Sequence, residues 1–499
     1  MGIKSILAKP FAAYIASKVH QEAANALRDQ EQTFRYLMQK VAQTKFGKDH
    51  GLTADTTYET FKQNVPVRDY EGLKSYFNRV VDGEQDVLWP GKPIYFAKTS
   101  GTTSGVKYIP ITKESIPYHI NSARNALLCY IAETGNARFV DGNLIFLSGS
   151  PELETKNGIF TGRLSGIVNH HVPQYLRKNQ MPSYPTNCIE DWEEKVEAIV
   201  EETFYKNMTL ISGIPPWVQM YFDKLSEKAG GKTIGELFKN FSLFVYGGVN
   251  FEPYRAKIEK SIGRKIDTIE TYPASEGFFA YQNKQNDSSL LLLTNNKIFY
   301  EFIAVDDFFK ENPKRISLSE VELNKNYVLI LNTNAGLWGY NIGDTIKFVS
   351  KNPYKVLVTG RVKHYISAFG EHVIGEEVEF ALMQTAMKYK LEVIEFTVAP
   401  QVNPSNGLPY HEWFVEFASA PQNVTEFALE VDEVLRKKNI YYDDLISGGI
   451  LRPLVLNAVP KNTFIQYMKN EGKLGGQNKV PRLSNDRKIA DALQLLIKN

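Results

Sequence analysis

"MTLISGIPPWVQMYFDKLSEKAGG", residues 208–231, reads as a buried strand, a sharp turn and a helix. Met208–Ser212 is a short run with the apolar Met208, Leu210 and Ile211, and reads as a strand. Pro215 and Pro216 suit a first helical turn, where their missing N–H groups cost nothing. Gly230 and Gly231 end the helix. The same unit recurs in both directions. Upstream, "GNLIFLSGS" (142–150) is a short apolar strand with a polar turn. "DWEEKVEAIVEETF" (191–204) then puts Trp192, Val196, Ile199, Val200 and Phe204 on one helical stripe, with acids at its start where the helix dipole favours them. Downstream come "FSLFVYGGVN" (241–250, strand and glycine turn), "EPYRAKIEKSIG" (252–263, helix) and "RKIDTIETYPASEG" (264–277, strand and loop). Repeated strand–turn–helix units predict an α/β sheet flanked by helices.

Beyond residue 290 the pattern turns strand-rich. "LLLLTNNKIFYEFIAV" resembles a hairpin around Asn295 and Asn296, followed by strands in "NYVLILNT", "DTIKFVS" and "YKVLVTG". From Gly375 the order helix, strand, strand, helix, strand, helix describes a compact α+β unit. The boundary is expected within "VTGRVKHYISAFGEHV" (358–373). This gives a large N-terminal domain, 1–360, and a small C-terminal domain, 361–499.

Composition narrows the function classes. The chain has 499 residues, 43% hydrophobic and 23% charged, enough for two or three domains with large cores. A formal net charge of +2 is too small for a field-driven nucleic-acid binder. Cys129 and Cys188 offer neither a disulfide framework nor metal spacing, and read as reduced thiols of a cytoplasmic protein. No stretch is apolar enough for membrane insertion. Residues 1–45 read as helical. Lys9 and Pro10 cut the first apolar run short of a secretory signal, and Ile6 stands where myristoylation after Gly2 wants Ser or Thr. The first helix is expected to be amphipathic and to pack on the body rather than lie on a membrane. His170 and His171, taken as adjacent positions of an extended segment, would point to opposite faces and are not expected to share a metal ion.

The chemistry starts at "KTSGTTSGVKY" (98–108). Gly101 and Gly105 let the backbone bend, and the exposed N–H groups of such a loop cradle an anion. Ser100, Thr102 and Thr103 add hydroxyl donors. A Walker A loop is excluded: three residues separate the glycines, and Tyr108 stands where a magnesium-binding hydroxyl is required.

Four further stretches follow in order: "TYPASEGFFA" (271–280), "AGLWGYNIGD" (335–344), "TGRVKHYISAFGEHV" (359–373) and "GGQNKVPR" (475–482). Together with the glycine-rich loop they resemble the motifs of the adenylate-forming superfamily of acyl-CoA synthetases, adenylation domains and luciferases. Within it the chain is most similar to the acyl acid amido synthetases of the Gretchen Hagen three family, the auxin-responsive type. The resemblance implies an α/β N-terminal domain that binds ATP and an acyl acid, and a small, mobile C-terminal domain turning about Gly360–Lys363. It implies an ATP-dependent ligase that makes an acyl-adenylate and pyrophosphate, then an amide with an amine, an amino acid. An acyl-CoA ligase and a nucleotide-binding protein with weakened catalysis are the alternatives.

Residue by residue, the resemblance gives Ser100, Gly101, Thr102, Thr103 and Gly105 to the phosphates of ATP. Tyr272 stacks on the adenine, with Gly247 and Gly248 along its other face. Glu276, beside Ser275, holds Mg²⁺, and Asp344 accepts from the ribose hydroxyls. Arg361 assists on the ribose or phosphate side. Lys479 swings to the α-phosphate and the carboxylate as the adenylate forms. Two positions depart from the family pattern: Asn341 replaces an arginine, and Lys107 lies one residue early. The segment Ser148 to Pro173 is a candidate wall of the acid pocket.

Overall fold

The computed structural model describes residues 2–100, 106–172, 177–248, 251–362, 365–366, 373–402, 404–447, 450–475, 478–484 and 486–498. The protein is a mixed α/β protein of two compact units. The larger holds residues 1–249, 259–342 and 346–357; the smaller holds 250–258, 343–345 and 358–499.

The centre of the larger unit is a twelve-stranded sheet. The strand–turn–helix units supply its parallel part: Asn143–Phe146, Met208–Ser212, Leu243–Gly247 and Asp267–Ala274 lie side by side in chain order. Leu210, Ile211, Leu243 and Phe244 are fully buried, because helices cover both faces of a parallel sheet. Trp192–Thr203 and Pro215–Lys228 are among those helices. Asp191 caps the first by accepting from the Glu194 amide at 2.8 Å. Beyond Asp267–Ala274 the sheet continues through Gly277–Gln282, Leu290–Leu292, Tyr354–Arg361, Tyr340–Lys351, Asn326–Thr333 and Ile298–Ala304, its first three steps and its last antiparallel. A separate four-stranded sheet contains the antiparallel pair Tyr95–Ser100 and Val106–Ile111.

Two local expectations are corrected. Leu290–Leu292 and Ile298–Ala304 do not form a hairpin. The first pairs with Gly277–Gln282 and Tyr354–Arg361, the second with Asn326–Thr333 over seven residue pairs. That long ladder outcompetes a three-residue strand. The intended turn is pulled away as well: Asn296 donates to Phe278 O (3.0 Å) and to Ser122 Oγ (2.9 Å). His170 and His171 sit at the C-terminal end of the helix Leu164–His170, not on an extended segment. Their rings still diverge, His170 Nε2 to Pro151 O (2.7 Å) and His171 Nε2 to Tyr95 Oη (3.1 Å).

In the smaller unit, helices Gly375–Lys388 and Val424–Lys438 cover the three-stranded sheet Val393–Gln401, Tyr410–Phe417 and Val455–Val459. The middle strand is antiparallel to the first and parallel to the third. Trp413, Val415, Phe396 and Val398 are fully buried between sheet and helices.

Candidate functional site

Glu276 lies in the two-residue turn between Asp267–Ala274 and Gly277–Gln282, two strands of the central sheet. Its Oε1 accepts from Tyr340 Oη at 3.2 Å. Tyr340 is 2% exposed, and burial followed by the Glu276 charge pushes its phenol well above the usual range. It therefore stays a neutral donor. The Tyr340 backbone is fixed in turn: Arg68 N donates to Gly339 O (3.0 Å) and Asn341 N to Arg68 O (2.8 Å). Asn341, where an arginine was expected, thus serves through its amide. Ser275 precedes Glu276 in the same turn, partly buried.

Tyr272 is buried in the core of the larger unit, edge-on to Phe279 with ring centroids 5.0 Å apart. Gly247 ends the strand Leu243–Gly247 where it runs against Thr271: a Cβ there would stand 2.5 Å from Thr271 O. Gly248 follows with φ +81°, a conformation that side chains disfavour. Both glycines thus have a structural cause, and the close backbone approach puts "VYGG" beside the Tyr272 strand.

Two paired strands flank the glycine-rich stretch in sequence. Ser100 faces Val106 across the antiparallel pair, so Gly101, Thr102, Thr103 and Gly105 fall between two paired ends. These four residues lie outside the described residues. Lys107 stands over the Tyr70 ring at 5.5 Å.

Asp344 and Arg361 meet in the smaller unit. The Asp344 carboxylate is 10% exposed, and Arg361 Nε contacts its Oδ1 at 2.9 Å. Adjacent strands carry them, and the Val362 amide donates to Gly343 O at 2.7 Å. Lys479 belongs to the same group. The residue as a whole is exposed, while its ammonium is partly desolvated. That desolvation first, and then the Arg361 guanidinium, draws its pKa down to about 8, while Asp344 opposes the shift. Three residues spread over 135 positions of sequence therefore feel one another's charge.

The anchor of the Lys479 loop was not legible in sequence. Arg482, three residues on, pairs with Glu395, contacts Glu379 (3.5 Å) and donates to Tyr254 Oη (2.6 Å). Its guanidinium also lies over the Phe396 ring at 4.6 Å. Backbone bonds strap the same arm to the sheet: Val398 N to Arg482 O (3.0 Å) and Ser484 N to Val398 O (2.9 Å). Thr397 Oγ1 adds a bond to Pro481 O (2.6 Å). On the other side of Lys479, Asn478 donates to Lys473 O and Gly475 O. Only the arginine at the end of "QNKVPR" hinted at this.

Lys195 was also missed. It lies on the core face of its helix, 2% exposed, with Nζ donating to Ser148 O (3.0 Å) and Asn187 O (2.5 Å). Burial lowers its pKa to about 8. It pins the start of the candidate acid-pocket segment.

Among the described residues no group of three or more His, Cys, Asp or Glu forms a metal cluster, and no helix is long and apolar enough to cross a membrane. Comparison with solved structures finds the same fold in known proteins. A 2-hydroxyisobutyryl-CoA ligase in its postadenylation state superposes with a TM-score of 0.56 at 13% identity, over 98% of this chain and 92% of that one. The AtGH3.15 acyl acid amido synthetase in complex with 2,4-DB superposes with a TM-score of 0.76 at 16% identity, over 96% and 95%. In sequence, the jasmonoyl–L-amino acid synthetase JAR4 of Nicotiana attenuata is 22% identical over 94% of this chain and 93% of its own. Models of the GH3 family N-terminal, central and C-terminal domains match residues 15–188, 291–361 and 376–488. The chain belongs to the GH3 family and is a ligase of the acyl acid amido synthetase class.

Proposed function

We propose that this protein activates a small carboxylic acid with ATP and passes the acyl group to an amine, an amino acid, as an amide. In the first half-reaction a carboxylate oxygen attacks the α-phosphorus and pyrophosphate leaves. In the second, the amine nitrogen attacks the acyl carbon, gives up a proton, and AMP departs with one of the original carboxylate oxygens. The observation that carries this reading is the convergence of Asp344, Arg361 and Lys479, which the motifs had marked separately.

The roles follow from charge and geometry. Asp344, already oriented by Arg361, has a carboxylate suited to accepting from two vicinal hydroxyls of a ribose. Lys479 supplies a positive charge to the α-phosphate and the incoming carboxylate, two anions that otherwise repel. An ammonium on a loop tolerates many approach angles, which suits that task. Arg361 lies close enough to share it. Ser100, Gly101, Thr102, Thr103 and Gly105 are assigned to the outer phosphates, with Ser275 beside them. Gly247, Gly248 and Tyr272 are assigned to the adenine. Glu276 fits Mg²⁺: it is a hard oxygen donor in a short turn, oriented by the Tyr340 hydroxyl. Bound there, the ion would offset phosphate charge.

Pyrophosphate release tests the reading, screened over carboxylic acids with amino acids added and followed by the product mass. Acid-dependent release with an amide product is expected. Release yielding a thioester with coenzyme A in its place, or none with any acid, would overturn it.

A further inference from the structure

The first helix, Ile3–Ala24, is apolar on two sides. Ala12, Ile15 and Val19 face the body and pack in a cluster with Cys129, Tyr130 and Phe139. The opposite side does not turn polar. Ile6, Leu7, Phe11 and Tyr14 are 57%, 66%, 47% and 66% exposed. At about 100° per residue, Ile6, Leu7, Pro10 and Tyr14 fall on the outward stripe, with Phe11 at its rim. Lys9 stands on one flank and Lys4 and Lys18 on the other. From Gly2 to Gln21 these three lysines meet no Asp or Glu in the sequence. Lys18 reaches Glu22 at 4.0 Å, and among the described residues no ion pair engages Lys4 or Lys9. Asp141, which accepts from the Gly2 and Ser5 amides, caps the helix.

We propose that this face docks the protein on an anionic lipid surface. Apolar side chains entering the acyl boundary, with lysines on both flanks reaching phosphate headgroups, are the requirements of a helix lying in a membrane interface. Charge decides against a second copy of the chain as occupant. Pairing two such stripes would set the lysines of both copies against one another, Lys4 and Lys9 among them, whereas an anionic surface attracts them. The sequence expectation of a helix packed on the body holds for one face only. The proposal does not depend on the catalytic reading.

Flotation of the full chain with phosphatidylcholine vesicles, with and without phosphatidylglycerol, tests it. Binding is expected only with phosphatidylglycerol present, and should weaken as salt rises. Leu7→Glu with Tyr14→Glu should weaken binding at least about tenfold, since both lose apolar burial. Lys4→Gln with Lys9→Gln should weaken binding to phosphatidylglycerol vesicles and flatten its salt dependence while leaving the apolar stripe intact. Thermal melting must show the variants folded, as exposed positions predict. Binding to neither vesicle, or binding that ignores both double variants, would overturn the proposal. So would a dimer in solution that Leu7→Glu converts to monomer, because the stripe would then be a protein interface.

Discussion

Glu276 and Lys479 are held by opposite devices. Glu276 sits in a two-residue turn between two strands of the central sheet, and the hydroxyl that orients it comes from Tyr340, itself buried and tied to Arg68. Such a carboxylate has little freedom, which suits a metal that must be placed once. Lys479 lies on a loop whose flanking residues are fastened, Arg482 after it and Asn478 before it. On the proposed roles, the difference is that between a fixed ligand and a charge delivered to the reaction.

Breaking the fixed end should cost most. Glu276→Gln should lower Mg²⁺-dependent pyrophosphate release by more than about 10²-fold; unchanged turnover across a Mg²⁺ titration would reject the metal role. Lys479→Ala should slow adenylate formation by about 10²-fold, the scale for losing one preorganised charge stabiliser. ATP affinity, measured by calorimetry, should hardly change, and an equal loss in both would contradict a transition-state role. Arg482→Ala sharpens the comparison, because it removes the strap and leaves Lys479 in place. About tenfold lower kcat at nearly constant KM is expected. A purely structural role would instead lower the melting temperature without that split.

The smallest effect is a shift in a pH profile. Lys479 is held near pKa 8, below its ordinary range. The ammonium is therefore present at neutral pH, and adenylation should fall as pH rises through about 8. Asp344 raises that pKa and Arg361 lowers it. Asp344→Asn should thus move the alkaline limb to lower pH, and Arg361→Gln to higher pH. Stopped-flow rates across the range would show either sign.

The parallel half of the sheet was legible because short strands with apolar centres, such as residues 144–146 and 243–245, alternate with helices that carry their own start and stop signals, such as Asp191 and Gly230. The antiparallel half was harder. Its pairings are set by ladder length and by captures such as Asn296, which are not local properties. The residues of the Asp344, Arg361 and Lys479 group were readable from motifs, yet their proximity was not. The anchors were the least visible: nothing in "EFTVAP" or "EPYRA" announces that Glu395 and Tyr254 converge on Arg482. The outward face of the first helix was misjudged because an apolar residue there reads the same as one in the core.

Oxygen-18 tracing tests the acyl-adenylate most directly. With both carboxylate oxygens of a substrate acid labelled and amide formation run to completion, one label should appear in the phosphate group of AMP and the other in the amide. Label in inorganic phosphate, accompanied by ADP, would mean an acyl phosphate and contradict the account.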